Sequence, residues 1–255
     1  MRAIWSGRLG WGIVGLNAKL YKAVDEGDIG FHLVHSCGAR IKYQNFCPRC
    51  EKVIERAELK KGYEYAKDQF AILEEADFQR LPLASIKSIN IEGFTDDGID
   101  PRAFDASYLL APEKGSANEK PFALLYKAME TLNVKAVGKL AYRDKEHLCL
   151  ISAYQGVFLL QTLFYADELR PFEDLKPKEV ALSEKEMELG KTLVSQMKGI
   201  FAYEGYSDQY RQALEKLIEA KVEGKEIAVP AEQETPAGDL VSQLLASLNL
   251  KEAVK

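Results

Sequence analysis

The sequence predicts a mixed β/α protein in which a β-rich N-terminal part precedes a helical C-terminal part. In the first 110 residues, short β-branched and aromatic runs such as 30–35 and 88–91 alternate with Gly, Asp and Pro turns. Three further strand patterns follow one another between residues 136 and 165. Adjoining strands without helices between them are typical of a β-meander or part of a barrel, rather than of alternating βαβ units.

One amphipathic helix is predicted between the two groups of strands. Pro121 stands at a favourable first-turn position, and four apolar residues follow it at helical spacing: Phe122, Leu125, Met129 and Leu132. Beyond this helix the strand patterns lie near 136–142, 147–154 and 157–165. Gln155 and Gly156 join the last two patterns and indicate a tight hairpin.

Helical patterns dominate from Ser183 onward. Ser183 and Glu186 form a capping box for one helix, and Ser207 is the predicted N-cap of a second. Residues 224–238 have the Pro, Glu, Thr and Ala content of a flexible linker. A last short helix follows, with Leu240, Leu244 and Leu248 on one face. Because a helix of about 12 residues is marginal alone in water, it either docks back on the core or offers its leucines to a partner's groove.

The charge of the chain is unevenly distributed. The 255 residues are 47% hydrophobic and 29% charged, with a net charge of −5, as in an ordinary globular protein. Residues 1–170 hold 23 Lys and Arg against 23 Asp and Glu, whereas residues 171–255 hold 11 against 16. Three stretches have an excess of bases: 1–24, 31–63 and 114–145. The acidic total therefore does not exclude a surface that binds polyanions.

Nothing in the sequence predicts export or membrane insertion. The N-terminal segment lacks the apolar run and cleavage site of a signal peptide, and no stretch approaches 18 apolar residues. We therefore expect a cytoplasmic protein without a membrane partner. In that compartment, clustered cysteines indicate metal binding before disulfides.

The strongest local motif is a cluster of metal-ligand residues. Cys47 and Cys50 have the Cys-x2-Cys spacing of a zinc knuckle, and Cys37 supplies a third thiolate. His35 is the predicted fourth ligand, because residues i and i+2 of a strand face the same side. Four protein ligands leave no position for a catalytic water, so the sequence predicts one structural zinc ion per chain, with buried or unpaired thiols as the alternative. Cys149 lies in an apolar strand pattern and is predicted to be a core residue.

A second motif is treated as a chance match. Gly10, Gly12 and Gly15 fit the G-x-G-x-x-G pattern of dinucleotide-binding folds. The preceding segment, Ile4–Leu9, contains Gly and Arg where a buried parallel strand is apolar, and no βαβ pattern follows. A pair of β-strands is the preferred interpretation, and a dinucleotide-dependent enzyme stays open as a minor alternative. Motifs of hydrolases and P-loop enzymes are absent from the sequence.

Many short segments along the chain match one known family in order. They are Met1-Arg-Ala-Ile-Trp-Ser-Gly7, Lys19-Leu-Tyr21, Phe31-His-Leu-Val-His35, Lys61-Gly-Tyr-Glu-Tyr65 with Leu73, Glu92-Gly-Phe94, Ile99-Asp-Pro101, Tyr108-Leu-Leu-Ala-Pro-Glu-Lys114, Tyr165-Ala-Asp-Glu168, the helix from Ser183, and Tyr210-Arg-Gln-Ala-Leu214. In these segments the chain resembles the prokaryotic Ku family of DNA double-strand-break repair.

The resemblance implies a β-barrel core with an extended bridge, then a C-terminal helical arm and a short terminal helix. The zinc knuckle, which is predicted from the cysteine and histidine spacing of this sequence and not from the family, falls in the bridge. The implied bounds are 1–175 for the barrel with its bridge at about 31–93, 176–225 for the arm, 226–238 for a linker and 239–255 for a partner-docking helix. Many relatives continue into a Lys-rich tail, whereas this sequence stops at Lys255, so tail-dependent DNA binding is not carried over.

The resemblance also implies a function without catalysis. A nucleoid-associated homodimeric ring would thread onto ends of double-stranded DNA, ignore sequence, protect the end and recruit a ligase D-type DNA ligase for non-homologous end joining. We expect the ring to be positive inside, with its negative charge on the arms. The implied DNA contacts are Arg8, Lys19, Arg40, Lys42, Lys60, Lys61, Lys114, Lys120, Lys135, Lys139, Arg143, Lys145 and Arg170. The implied ligase contacts are Leu240, Leu244, Leu245 and Leu248.

One alternative function shares several of these features. A zinc-ribbon module that binds RNA or another protein has a similar Cys cluster and basic patches, but it does not need a free DNA end.

Overall fold

The computed structural model describes residues 1–25, 27–80, 87–96, 98–143, 145–177, 179–224, 241, 243–245 and 247. The chain divides into two compact units, Met1–Gly27 with Phe31–Pro171 and Asp28–Gly30 with Phe172–Lys255.

The elements confirm a mixed β/α fold. The strands are β1 (Trp5–Trp11), β2 (Val14–Lys22), β3 (Asn45–Cys47), β4 (Lys52–Ile54), β5 (Lys61–Ala66), β6 (Gln69–Leu73), β7 (Ser88–Thr95), β8 (Phe104–Pro112), β9 (Lys135–Tyr142), β10 (Lys145–Tyr154) and β11 (Val157–Leu163). The helices are α1 (Glu75–Gln79), α2 (Ser116–Leu132), α3 (Glu184–Met197) and α4 (Gln209–Val222). The helices α3 and α4 follow the last strand, whereas α1 and α2 lie between strands. Among the described residues, no helix has both the length and the apolar composition needed to cross a membrane.

Seven strands close into the predicted barrel, in the order β1-β2-β8-β11-β10-β9-β7. The closing pair is parallel and places Leu9 opposite Ile89, whereas the other neighbouring strands pair antiparallel. Closure pairs the backbone groups that an open sheet would leave at its edges.

The strands β9, β10 and β11 form the predicted meander. Tyr154 pairs with Val157 across a two-residue turn in which Gln155 and Gly156 have φ of 45° and 88°. Positive φ at both positions is the geometry of a type I′ turn, which matches the twist of the flanking strands. The predicted strand ends differ by two residues at the start of β10 and at the end of β11.

Apolar side chains fill the barrel and extend to α2. Leu9, Leu20 and Phe158 are fully buried, and so is Cys149, as predicted. The ring of Phe122 on α2 packs edge-on against Phe158 with 4.8 Å between ring centroids. Burial raises the pKa of the Cys149 thiol to about 12, so this cysteine is an inert core residue rather than a metal ligand.

The helix α2 begins at Ser116, five residues before Pro121, which lies inside the helix rather than at its start. The Asn118 side chain explains the additional turn. Its oxygen accepts a hydrogen bond from the Asn17 backbone N–H at 2.9 Å, and its amide donates to the Glu113 carbonyl at 3.3 Å. These bonds attach the first turn of α2 to β2 and to the end of β8, and they offset the backbone hydrogen bond that Pro121 cannot donate.

The segment between β2 and β7 leaves the barrel and forms two small sheets, β3 with β4 and β5 with β6. We call residues 31–80 the insertion. Its side chains are exposed except for half-buried Cys47, Ile54 and Phe78 among the residues whose burial is described. It occupies the place of the predicted bridge of about 31–93, but residues 88–93 lie in β7 and belong to the barrel.

The strand predicted at 30–35 is not formed. Val34 makes only an isolated bridge with Arg40, and the chain then reverses in a tight turn. In this turn the Gly38 N–H donates to the His35 carbonyl at 2.8 Å, and Gly38 has a φ of +83°. Local turn bonds at a glycine replace the sheet pairing that the β-branched pattern suggested.

The second unit contains the arm helices α3 and α4. The predicted capping box is confirmed, because the Ser183 and Glu186 side chains each accept a hydrogen bond from the other residue's backbone N–H. The predicted N-cap Ser207 of the second helix is wrong by one residue. Asp208 caps α4, with its Oδ1 accepting a hydrogen bond from the Arg211 N–H at 2.9 Å. The predicted linker 226–238 lies outside the described residues.

Candidate nucleic-acid interface

The predicted DNA-contacting cations lie mostly on exposed surface. Ten of them are exposed: Arg8, Arg40, Lys42, Lys60, Lys61, Lys114, Lys120, Arg143, Lys145 and Arg170. Lys19, Lys135 and Lys139 are half-buried. In β9, the buried residues Ala136 and Leu140 alternate with the more exposed lysines, so Lys135 and Lys139 point out of the barrel core.

Three of these cations already have carboxylate partners. Lys19 Nζ lies 3.1 Å from Glu113, and Lys60 Nζ lies 2.6 Å from Glu74. Lys139 lies 3.2 Å from Glu146 and 3.7 Å from Glu92, and the hydrogen bond to Glu146 is the main reason that its pKa is raised. A phosphate approaching these lysines meets a partly neutralised charge. Exposed ion pairs are weak, however, so replacing the carboxylate partner by a phosphate costs little free energy.

Two other cations lie over aromatic rings. Lys61 Nζ is 4.4 Å from the centroid of the Phe78 ring, and the Arg143 guanidinium carbon is 5.0 Å from that of Tyr142. Such contacts orient the cation without neutralising it. The remaining eight predicted contacts make no ion pair with another described residue: Arg8, Arg40, Lys42, Lys114, Lys120, Lys135, Lys145 and Arg170.

The predicted zinc ligands form two local pairs. His35 Nδ1 lies 3.2 Å from Cys37 Sγ, and the same nitrogen accepts a hydrogen bond from the Cys37 N–H at 3.3 Å. The strand argument for this pair was wrong in its geometry, because a turn rather than a strand brings the two side chains together. Cys47 ends β3, and the turn that follows brings Cys50 to it.

The Cys47 and Cys50 thiols are hydrogen-bonded to each other. Backbone N–H groups of Cys50 and Arg49 and the Cys50 thiol stabilise the Cys47 thiolate, so the pKa of Cys47 is lowered. The hydrogen bond with Cys47 raises the pKa of Cys50. Within the part of the chain that the structure describes, no three or more His, Cys, Asp and Glu side chains come together as a metal site.

The G-x-G-x-x-G match is a hairpin tip. Gly10 pairs with Gly15 across β1 and β2, and Gly12 has a φ of +56° in the turn between them. A dinucleotide site needs this turn to lead into a helix whose N-terminus holds the phosphates. Here the turn leads into the antiparallel strand β2, which confirms the preferred interpretation.

The predicted partner-binding leucines are described in part. Leu244 is half-buried and Leu245 is 42% exposed, whereas Leu240 and Leu248 lie outside the described residues. The sequence interpretation missed an apolar groove on α3 that is lined by Leu182, Met187, Gly190 and Val194. The spacing of the last three residues at i, i+3 and i+7 was the available signal.

The closed seven-strand barrel with a mostly exposed insertion between two of its strands defines the class of protein by its fold, a β-barrel protein. Residues 12–189 match the family described as the Ku70/Ku80 beta-barrel domain. The chain belongs to the Ku family.

Three relatives bear the name non-homologous end joining protein Ku. The protein from Archaeoglobus fulgidus is 41% identical over 259 residues, which cover 100% of both chains. That from Symbiobacterium thermophilum is 34% identical over 99% of this chain and 64% of its own length. That from Bacillus subtilis is 32% identical over 98% of this chain and 82% of its own.

Proposed function

We propose that this chain binds the ends of double-stranded DNA in double-strand-break repair by non-homologous end joining. The observation that carries the proposal is family membership over the whole chain, at 41% identity to the Ku protein of Archaeoglobus fulgidus. The closed barrel with its exposed insertion agrees with this. The protein is not an enzyme. It is a cytoplasmic, nucleoid-associated protein that acts by holding DNA ends.

Surface cations supply the affinity. Lys and Arg contacts to phosphate oxygens bind without reading sequence, as a protein that meets arbitrary broken ends requires. Lys120, Arg143 and Lys145 are exposed and make no ion pair with another described residue, so they are available to phosphates. Each phosphate contact releases counterions, so the affinity falls steeply with salt.

The working form is a homodimeric ring that encloses the DNA. Two groups of exposed apolar side chains support a second copy as the covering partner. In the insertion, Tyr63, Phe70 and Ile72 are each more than half exposed. In the arm, Ile200 is fully exposed and Phe201 is 60% exposed. Exposed apolar surface of this extent is typical of protein interfaces.

A preformed ring can load only where the DNA has an end, so we expect binding to depend on a free end. The experiment is a competition between a labelled short duplex and one unlabelled plasmid in three forms: linearised, nicked circular and supercoiled. The linear form should displace the probe, and both circular forms should fail to do so at the same mass concentration.

Because the three plasmid forms have the same sequence and length, only the presence of an end differs between them. Equal competition by the nicked circle would overturn end binding and would favour a general polyanion-binding module. Repeating the competition with an unrelated plasmid of the same length checks that sequence has no effect.

We also propose that His35, Cys37, Cys47 and Cys50 hold one structural zinc ion. The donor set supports this, because thiolates and an imidazole are the ligands of structural zinc, and each pair is already formed by a local turn. Holding the two pairs to one ion would cross-link a segment that has almost no buried side chains.

Metal analysis of the purified native protein tests the zinc proposal. We expect about one zinc per chain, and loss of this zinc in the double variant C47S/C50S, together with faster proteolysis within residues 31–80. C149S is the matched control, since the buried Cys149 is not a ligand and its loss should leave the zinc content unchanged. Native protein with well under one zinc per chain contradicts the proposal.

Recruitment of the pathway's DNA ligase, of the ligase D type, is the last part of the proposed function. It is assigned to the predicted leucine-bearing helix at residues 239–255, of which the structure describes 241, 243–245 and 247. The exposed Leu245 supports this proposal, because its apolar side chain is free to contact the ligase. Leu244 is half-buried, which indicates that this segment also packs against another part of the chain.

A further inference from the structure

The helix α3 carries an apolar groove that the barrel and the DNA-contacting cations do not use. Met187, Gly190 and Val194 form one stripe along the helix, and Leu182 extends it beyond the N-cap. The groove encloses about 610 Å³, and no atom lies within 4 Å of the position that a Gly190 Cβ would occupy. The space above Gly190 is therefore open, and an apolar side chain can enter it.

Leu244 from the end of the chain lines this groove. The described residues around it, 241, 243–245 and 247, are helical. The Ser247 hydroxyl donates a hydrogen bond to the Gln243 carbonyl at 2.8 Å, which is an i to i−4 bond on the helix surface. Leu244 is half-buried, whereas its neighbour Leu245 is 42% exposed, so the helix directs one of these two leucines into the groove.

We propose that the α3 groove is a docking site for the chain's own terminal helix, with Leu244 as the anchor, and that this docking competes with binding of the helix to its ligase. The occupant is the chain itself, because Leu244 of the same chain already lies in the groove. A leucine cannot fill this groove and a partner's groove at the same time, so docking lowers the fraction of chains that can bind the ligase.

The competition rests on the proposed ligase function, whereas the docking rests on the position of Leu244 in the groove lining and on its burial. A short terminal helix is marginal when isolated in water, so docking should protect its backbone amides. The two parts can therefore be measured separately: docking by amide hydrogen exchange of the terminal segment, and competition by ligase binding.

The docking experiment uses the full-length protein and two pairs of variants. G190L places a branched side chain in the open space at Gly190, where it competes with Leu244 for the groove, and L244A removes the anchor. G190A and L245A are the matched controls, because a methyl group at 190 meets no atom within 4 Å and Leu245 does not line the groove. Replacing a helix glycine by leucine or alanine improves helix propensity, so both changes at 190 should leave α3 folded.

We expect G190L and L244A to increase hydrogen exchange of residues 241–247 by at least fivefold, and G190A and L245A to change it less than twofold. The double variant G190L/L244A should exchange no faster than either single variant, because both remove the same contact. Unchanged exchange in G190L and L244A overturns the docking, whatever the ligase does.

A photoreactive residue at position 244 identifies the occupant. In a mixture of isotopically heavy and light chains, cross-links from 244 to α3 should join peptides of the same isotopic label. Peptides of mixed label would show that a second copy supplies the helix and would overturn docking within one chain.

Ligase binding then tests the competition. G190L should bind the purified end-joining ligase several-fold more tightly than the wild-type protein, while G190A should bind like the wild type. Faster exchange in G190L without tighter ligase binding would overturn the competition but leave the docking. If DNA ends are bound and the wild-type protein does not bind the ligase, the proposed ligase recruitment itself is wrong.

Discussion

At the scale of single residues, the predicted DNA contacts separate into two groups. Lys19, Lys60 and Lys139 each lie within 4 Å of a carboxylate, so a phosphate must displace an existing partner. Arg143, in the turn after β9, and Lys145, at the start of β10, have no carboxylate partner among the described residues. If contact with DNA is electrostatic, the second group should carry more of the salt dependence.

The double variant R143A/K145A tests this separation. It should weaken binding to DNA ends at low salt and lower the slope of log affinity against log salt by about 2, roughly one for each phosphate contact removed. Binding to duplexes of different sequence should weaken equally, because phosphate contacts do not read bases. The affinity and its slope are measured by titrating a labelled duplex end at several salt concentrations.

K127A is the control for loss of charge. Lys127 is 74% exposed on α2 and pairs with Glu130 at 2.7 Å, and it is not among the predicted contacts. Its removal should leave the salt slope unchanged. A slope that falls equally in K127A would show a general charge effect and would contradict the assignment of Arg143 and Lys145.

Among the secondary-structure elements, the sequence predicted correctly those turns and helix ends that are determined by residues close together in the chain. The Gln155–Gly156 hairpin and the Ser183–Glu186 capping box depend on residues within a few positions of one another, and both are formed as expected. The start of α2 was misplaced because it depends on Asn118 and Asn17, which are 101 residues apart. A contact of that kind leaves no signal in a short window of sequence.

In the candidate site, too, features that depend on nearby residues were predictable, and those that depend on residues far apart in the sequence were not. The Cys-x2-Cys spacing identified the Cys47–Cys50 pair, and the motif placed His35 beside Cys37 for the wrong structural reason. The carboxylate partners of the lysines were not predictable, since Lys139 meets Glu92 and Glu146 only through the register of β7, β9 and β10. The function was inferred from the resemblance to a known family; the periodicity of the sequence did not indicate it.

The helix α4 offers a test between adjacent N-cap candidates. Asp208 accepts the hydrogen bond of the Arg211 N–H, and its negative charge is favourable at a helix N-terminus, so D208A should destabilise α4 by about 1 kcal/mol. S207A, which replaces the residue that the sequence predicted, should have little effect. Hydrogen exchange of α4 amides in the full-length protein measures both variants: about fivefold faster exchange is expected in D208A. Greater destabilisation by S207A would contradict the observed cap.

At the scale of the whole molecule, the chain leaves much of its apolar surface uncovered. The barrel is well filled, with Leu9, Leu110 and Phe158 fully buried. The arm is not: no residue of α3 or α4 with a described burial is fully buried, and the connection between them exposes Ile200 completely. Phe201 packs on Tyr203 and Tyr206 with ring centroids 4.7 and 5.0 Å apart, yet all three rings stay more than half exposed. A second copy that covers this aromatic cluster would supply the burial that the arm lacks.

The homodimer is tested by placing a charge at the exposed Ile200, next to this cluster in sequence. We expect the wild-type protein to have a solution mass of twice its 28.6 kDa and I200D to become monomeric, because an aspartate there would be buried without a partner. I13D is the matched control, since Ile13 at the tip of the β1–β2 hairpin is also 100% exposed and belongs to the first unit, not to the arm. Light scattering after gel filtration gives the mass, and the competition between linear and circular DNA gives the functional consequence.

A monomer cannot form a closed ring. If I200D loses its second subunit, its binding to DNA should therefore no longer depend on a free end. A dimer that persists in I200D but dissociates in I13D would move the interface from the arm to the barrel, and a monomeric wild-type protein would contradict the ring itself.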